Sequence, residues 1–213
     1  MLVGERMSKP VISIPPEMPI NEAINLMRNK QIRRTPVVKD GKLVGIVSDK
    51  DLLNASPSPA TSLSVWEMNY LLSKITVKDV MNAKVLTVLE DTPIEEAARI
   101  MADNKIGGMP VMRNQQVVGI ITETDLFKIL LELMGARDSG VRVTLLMTEK
   151  PGQLANLTKL ISDLGGNFIA IGQFSGESET NRLVTFKVTG LEEDKVREIV
   201  VPLAERLIDI RTV

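Results

Sequence analysis

One stretch of this chain occurs twice. TPVVKDGKLVGIVSDKDLL, ending at Leu53, returns as MPVMRNQQVVGIITETDLF, ending at Phe127, with a single offset of 74 residues. The offset holds upstream without a gap, since Met7 and Met81, Pro19 and Pro93, Ala23 and Ala97, Met27 and Met101, and Ile32 and Ile106 all match. Between residues 7–53 and 81–127 there are 15 identities in 47 positions, against roughly 6% expected from ordinary composition. Such a duplication constrains the fold strongly. Two copies of one supersecondary unit pack on each other and place equivalent polar groups around a shared cleft.

Each copy reads as strand, helix, strand, strand, helix. VISI (11–14) and VLTV (85–88) are short β-branched runs ending in turn-forming residues. Ile20, Ala23, Ile24 and Met27 then fall at i, i+3, i+4 and i+7, and Ile94, Ala97, Ala98 and Met101 repeat the spacing, so one stripe of each helix faces a core. Thr92 is placed to cap the second of these helices, with Pro93 at its first position and Glu95 completing a capping box. A hairpin follows in each copy, around Asp40-Gly41 and around Asn114. The closing helix of the second copy runs to about Met134 with Leu126, Ile129, Leu130 and Leu133 inward, and Gly135 stops it.

ASPSPATS (55–62) is a Pro/Ser loop between the copies, and SVWEMNYLLSKI (64–75) reads as a short helix carrying Trp66 and Tyr70. These two aromatics either pack structurally or approach a ligand. Beyond GARDSG (135–140) the offset fails. Residues 141–213 read as β, α, β, β, α, β, the order of a ferredoxin-like sandwich, with Pro202 expected to interrupt the last helix. The fold class is thus α+β: βαββα repeats at 1–60 and 61–135, the second with a linker helix, then a βαββαβ domain at 141–213.

Composition excludes much chemistry. The chain has no Cys and no His, so thiol nucleophiles, disulfides, thiolate zinc sites and imidazole acid–base catalysis are unavailable. A net charge of −1 and 3% aromatics offer neither the basic stripe nor the stacking platforms that nucleic acid requires. No segment has the apolar core of a signal peptide or the ~18 uninterrupted apolar residues of a membrane span. The expected setting is the cytoplasm, and no paired-carboxylate or Ser-x-x-Lys constellation points to an enzyme.

The chemistry concentrates in GIVSDKD (45–51) and GIITETD (119–125), both of the form G-h-h-[S/T]-x-x-D. The Gly permits close approach to the backbone, and the hydroxyl stands where strand turns into helix, a place that favours anions. The Asp three residues on is a two-oxygen acceptor suited to a vicinal diol such as ribose. The bland alternative is that Ser48 and Thr122 only cap helices. Where the duplication breaks, Arg33-Arg34 faces Gly107-Gly108. Arginine is a fork matched to phosphate oxygens, or else simply a solvated charge.

The repeated P-V-h…V-G-h-h-[S/T]-x-x-D-L pattern resembles a pair of cystathionine-β-synthase (CBS) domains over residues 1 to about 135. The resemblance implies a pseudo-twofold module whose cleft binds AMP, ADP, ATP or S-adenosylmethionine as a regulatory ligand, with Mg²⁺ possible beside ATP. By position, Asp51 and Asp125 would hold ribose hydroxyls, and Ser48 and Thr122 would contact phosphate. Ser13 and Thr87 would line the adenine pocket, with Arg33 and Arg34 as basic residues for phosphate. The two pockets are expected to be unequal, the Asp51 side holding the phosphorylated ligand more tightly.

VRVTLLMTEKPGQLANLTKLISDLGGNFIAI is similar to an ACT domain, whose hallmark is a D-K-P-G-x-L turn, here with Glu149 in place of Asp. The resemblance implies an amino-acid ligand at Gly152, Gln153, Leu154 and Asn167, or a dimerisation surface; read alone, the turn only starts a helix. Two CBS domains followed by one ACT domain resemble the stand-alone regulatory proteins of the acetoin-utilisation (AcuB) type. The implied function is a non-catalytic sensor, homodimeric by default, acting on an unknown regulated protein. The alternative is a ligand-independent adaptor for an enzyme or transporter.

Overall fold

The computed structural model describes residues 1–55, 64, 66, 67, 70 and 74–213. They fall into two compact units, Met1–Leu126 and Phe127–Val213. Residues 56–62 of the 55–62 loop and part of the 64–75 segment lie outside the described residues. Trp66 and Tyr70 are both largely exposed, and Lys74 Nζ stands 5.2 Å from the Tyr70 ring centroid.

The duplication is visible in three dimensions. The helices Ile20–Asn29 and Ile94–Asp103 bury Ile20, Ala23 and Met27 in one copy and Ile94, Ala97 and Met101 in the other, as their periodicity predicts. Each helix is followed by an antiparallel hairpin, β1 (Arg34–Lys39) with β2 (Lys42–Ser48) and β4 (Gly108–Arg113) with β5 (Gln116–Thr122). A bulge follows Val37 in the first hairpin and Val111 in the second, 74 residues apart. Both turns have two residues at positive φ, Asp40 and Gly41 at 49° and 76°, Asn114 and Gln115 at 47° and 67°. That is the turn geometry whose twist matches paired strands.

The expected first strands are nearly absent. In the first copy only Ile14 forms a bridge, parallel to Val37; in the second β3 is just Val88–Leu89, parallel to β4. Glu90 N–H extends the second pairing to Met112 O, whereas its counterpart is Pro16, which has no N–H to give. The capping box at Thr92 is also not formed. Pro93 is the N-cap, without a side-chain bond, and the Thr92 hydroxyl, one residue too early, accepts Leu89 N–H at 3.1 Å.

Neither repeat closes on itself. The short helix Val3–Arg6 and the residues after it pack on the second copy, while Val77–Val80 and its continuation pack on the first. Val3 N–H reaches Thr92 O at 2.9 Å and Val77 N–H reaches Met18 O at 2.9 Å. Ser8 pairs with Ile120, and Asn82 with Ile46. Every one of these contacts recurs at the offset of 74, so the first unit is built on a reciprocal exchange.

The closing helices are Asp49–Asn54 and Glu123–Leu133. On the second, Ile129 is buried as expected, but Leu130 and Leu133 are 51% and 58% exposed, a correction to their inward placement. One buried stripe suffices to dock the helix, and its other apolar residues face out.

In the second unit β6 (Val141–Thr148), β7 (Asn167–Ser175), β8 (Asn181–Thr189) and β9 (Arg206–Thr212) form one antiparallel sheet in the order β7-β8-β6-β9. The helices Gln153–Asp163 and Glu193–Val200 supply Leu157, Ile161, Val196 and Val200 to a core with Val143, Leu145, Val184 and Phe186. Pro202 does interrupt the last helix, which passes into the 3-10 turn Val201–Leu203.

Candidate functional site

The two G-h-h-[S/T]-x-x-D motifs adopt one local structure. Ser48 ends β2 in extended conformation and caps the helix that follows; its N–H and hydroxyl both donate to Asp51 Oδ2, at 2.9 and 2.6 Å, and its Oγ accepts Asp51 N–H at 3.2 Å. Thr122 repeats this at the end of β5, its N–H and hydroxyl donating to Asp125 Oδ2 at 2.9 and 2.7 Å. The capping alternative is therefore realised at Ser48, and at Thr122 the same carboxylate-to-backbone half of the arrangement is formed. It uses only one oxygen of each carboxylate.

The second oxygen separates the copies. Asp51 is exposed, and no hydrogen bond reaches its Oδ1 among the described residues. Asp125 is 6% exposed, and the exchanged N-terminal segment brings Ser8, whose hydroxyl donates to Oδ1 at 3.3 Å. Ser8 was not singled out in the sequence, although its partner at the offset, Asn82, marks the same exchanged position.

Arg33 is exposed, whereas Arg34 is half-buried and turns away from its own motif. Its guanidinium Nη1 donates to Gly107 O of the second copy. Ser13 and Thr87 are exposed beside Ile14 and Val88, the residues that pair with the hairpins. Gly45 and Gly119 need their missing side chains for another reason than a ligand. The Cβ each lacks would stand 3.0 Å from Met81 Cγ and 2.8 Å from Met7 Cγ respectively.

In the second unit Gly152, Gln153 and Leu154 line a cavity of about 220 Å³ together with Lys150, Gln173 and Arg182. Gly152 has φ +87° at the helix start, a conformation natural to glycine. Arg182 Nε donates to Glu149 Oε2, another lining residue, at 2.6 Å. Asn167 is not part of this group. It pairs with Thr189 at the opposite end of β7, six residues from Gln173, or about 20 Å at strand rise.

The CBS-domain profile matches residues 3–58 and 77–132, which is more than half of the sequence. The chain belongs to the CBS-domain family. Its CBS pair is similar to one crystallised with 5′-methylthioadenosine and S-adenosyl-L-methionine, at 30% identity and a TM-score of 0.52 over 65% of this chain and 98% of that one. It is likewise similar to a CBS-pair protein from Arabidopsis thaliana in complex with AMP, at 28% identity and a TM-score of 0.53 over 62% of this chain and 97% of the other. A third neighbour is a candidate acetoin utilization protein (AcuB) from Vibrio cholerae, at 30% identity and a TM-score of 0.53 over 64% and 95%. Among the described residues no helix is long and apolar enough to cross a membrane.

Proposed function

We propose that this protein is a non-catalytic regulatory sensor that binds an adenosine-containing ligand, AMP, ADP, ATP or S-adenosylmethionine, in the cleft of its CBS pair. The observation that carries the reading is Oδ1 of exposed Asp51, open among the described residues, on a carboxylate whose other oxygen is already fixed by Ser48. A carboxylate held in that way is a preorganised acceptor for a ribose diol. The relatives that hold AMP, 5′-methylthioadenosine and S-adenosylmethionine support it. In this reading Asp51 and Asp125 take ribose, Ser48, Thr122 and the Arg33-Arg34 pair serve phosphate, and Ser13 and Thr87 border the adenine. Titration calorimetry with each of the four ligands tests it; absence of binding by all four would refute it.

The second unit we read as an ACT-type, ferredoxin-like domain. Its βαββαβ order and β7-β8-β6-β9 sheet support this, as does the cavity at its Glu149–Leu154 turn, sized for an amino acid. The protein acts as a homodimer, a ligand changing the angle between protomers by binding one arrangement better than the other.

A second reading, an adaptor that acts without ligand, is favoured by Phe127, Leu130, Leu131 and Leu133, which are 42–64% exposed along one helix and suit a protein partner. A melting temperature unmoved by saturating nucleotide would select it.

A further inference from the structure

We infer that the two S/T-x-x-D motifs share one guanidinium, that of Arg34, and therefore take one phosphorylated and one uncharged adenosine ligand rather than two nucleotides; this rests on the nucleotide reading above. By its backbone Arg34 belongs to the first motif, where it pairs with Ser48 across the hairpin. Its side chain serves the second. Gly107 O, which accepts Arg34 Nη1, also accepts Glu123 N–H at 3.2 Å, the first amide of the second motif's helix.

The glycine pair is the berth for that side chain. A Cβ on Gly107 would stand 2.7 Å from Arg34 Nη2 and 2.7 Å from Glu123 Oε2, and one on Gly108 would stand 3.2 Å from Arg34 Cδ. A residue other than glycine at position 107 would expel the guanidinium. The break in the duplication, two arginines against two glycines, is therefore a single arrangement: one copy supplies the cation and the other the room.

Charge within the motifs and at the two residues that open each hairpin is one-sided. The acids match, Asp49 with Glu123 and Asp51 with Asp125, but Arg33, Arg34 and Lys50 correspond to Gly107, Gly108 and Thr124. A phosphate dianion at the first motif draws Arg34 to itself, because a guanidinium bonds an anionic phosphate more strongly than a neutral carbonyl. The second motif is then left with Glu123 and Asp125 and no cation at the equivalent positions, and a second phosphate is repelled. An uncharged nucleoside meets no such repulsion. It has to reach the buried Asp125 and displace the Ser8 hydroxyl from its Oδ1.

Calorimetry on the full chain with AMP and adenosine tests this. The unmodified protein is expected to bind one AMP tightly and a second about tenfold or more weakly, while adenosine still fills the second site of the AMP-saturated protein. Arg34→Gln is expected to weaken the first AMP about tenfold and to weaken adenosine far less. Thr124→Lys, at an exposed position, is expected to strengthen the second AMP severalfold, and it decides the matter should Arg34→Gln fail to fold. Two AMP molecules bound with equal affinity, or AMP binding indifferent to the substitutions, would overturn the inference and leave the nucleotide reading standing. Binding of neither AMP nor adenosine would overturn the inference, and the nucleotide reading falls with it only if ADP, ATP and S-adenosylmethionine also fail to bind.

Discussion

The Met7 side chain occupies the space that a side chain on Gly119 would need, with Cγ 2.8 Å from the position of the missing Cβ. Met81 lies over Gly45 in the same way, 74 residues on, with Cγ 3.0 Å from the corresponding position. The two contacts are the pins of the exchange between repeats. Gly119→Ala is expected to destabilise the first unit by about 1–3 kcal/mol through overpacking, read as a lower urea midpoint. Adding Met7→Ala is expected to recover part of the loss. A Gly119→Ala protein as stable as the parent would contradict the close seating of Met7.

Asp51 and Asp125 are equivalent in sequence and unequal in setting. Asp125→Ala removes a buried acceptor of bonds from Thr122 and Ser8 and is expected to cost about 1–3 kcal/mol of stability. Asp51→Ala, on an exposed cap, is expected to cost about 1 kcal/mol or less and instead to weaken AMP. Paired denaturation and calorimetry separate the two; equal stability losses would show that Ser8 adds nothing.

Lys187 is a buried cation in the second unit. Its Nζ donates to Gly135 O and Asp138 O, both at 2.8 Å, and thereby holds the 135–140 turn, where Gly135 has φ +55°. Lys187→Met keeps the aliphatic stem and leaves two carbonyls without their donor, at an expected cost of about 1–3 kcal/mol. Faster amide exchange across 135–140 would accompany it. Unchanged exchange there would assign the lysine no role in the turn.

The two hairpin turns differ at their second residue. Gly41 sits at φ 76° without strain, while Gln115 is held at φ 67°, where a side chain costs roughly 1–2 kcal/mol. Gln115→Gly is expected to stabilise by about 0.5 kcal/mol after the entropy cost of glycine in the unfolded chain. Gly41→Ala is expected to destabilise by about 1 kcal/mol. Melting curves of both variants check the pair, and a shift of the same sign in the two would be inconsistent with it.

Stability should fail on the acid side. Asp79 is held below the ordinary carboxylate range by the backbone N–H and then the hydroxyl of Thr76, Glu90 by its bond to Arg113, and Asp209 chiefly by Arg211. A lowered folded-state pKa contributes stability above the unfolded value and loses it as pH falls through the folded one. With no histidine in the chain, the melting temperature is expected to fall mainly below about pH 4.5. A main transition near pH 6 to 7 would contradict this account.

Much of the local structure was legible because its causes are local. The helix Ile20–Asn29 followed from apolar spacing, the first hairpin from Asp40-Gly41, and the break before the 3-10 turn Val201–Leu203 from Pro202. The failures were also physical. VISI and VLTV read as strands from their β-branched residues, but only their last residues, Ile14 and Val88, pair with the hairpins, and Pro16 lacks the amide by which Glu90 extends the second pairing. Leu130 and Leu133 fit a helical stripe, but periodicity cannot tell how wide a face the core covers. Gly152 and Asn167 sit near one another in the chain on either side of a helix, and strand direction sends them to opposite ends of the sheet.

The sequence by itself determined that two copies exist, that each presents a hydroxyl and a carboxylate in one spacing, and that the copies differ at Arg33-Arg34 against Gly107-Gly108. Only the tertiary structure decided that residues 1–8 pack on the second copy, that Ser8 reaches Asp125 while Asp51 keeps an open oxygen, and that Arg34 points across to Gly107. The reason lies in the duplication. Residues related by one offset carry the same local preferences, so neither repeat's own pattern distinguishes packing on itself from packing on its twin; that choice is made by the non-local fit of Met7 to Gly119 and of Arg34 to a pair of glycines.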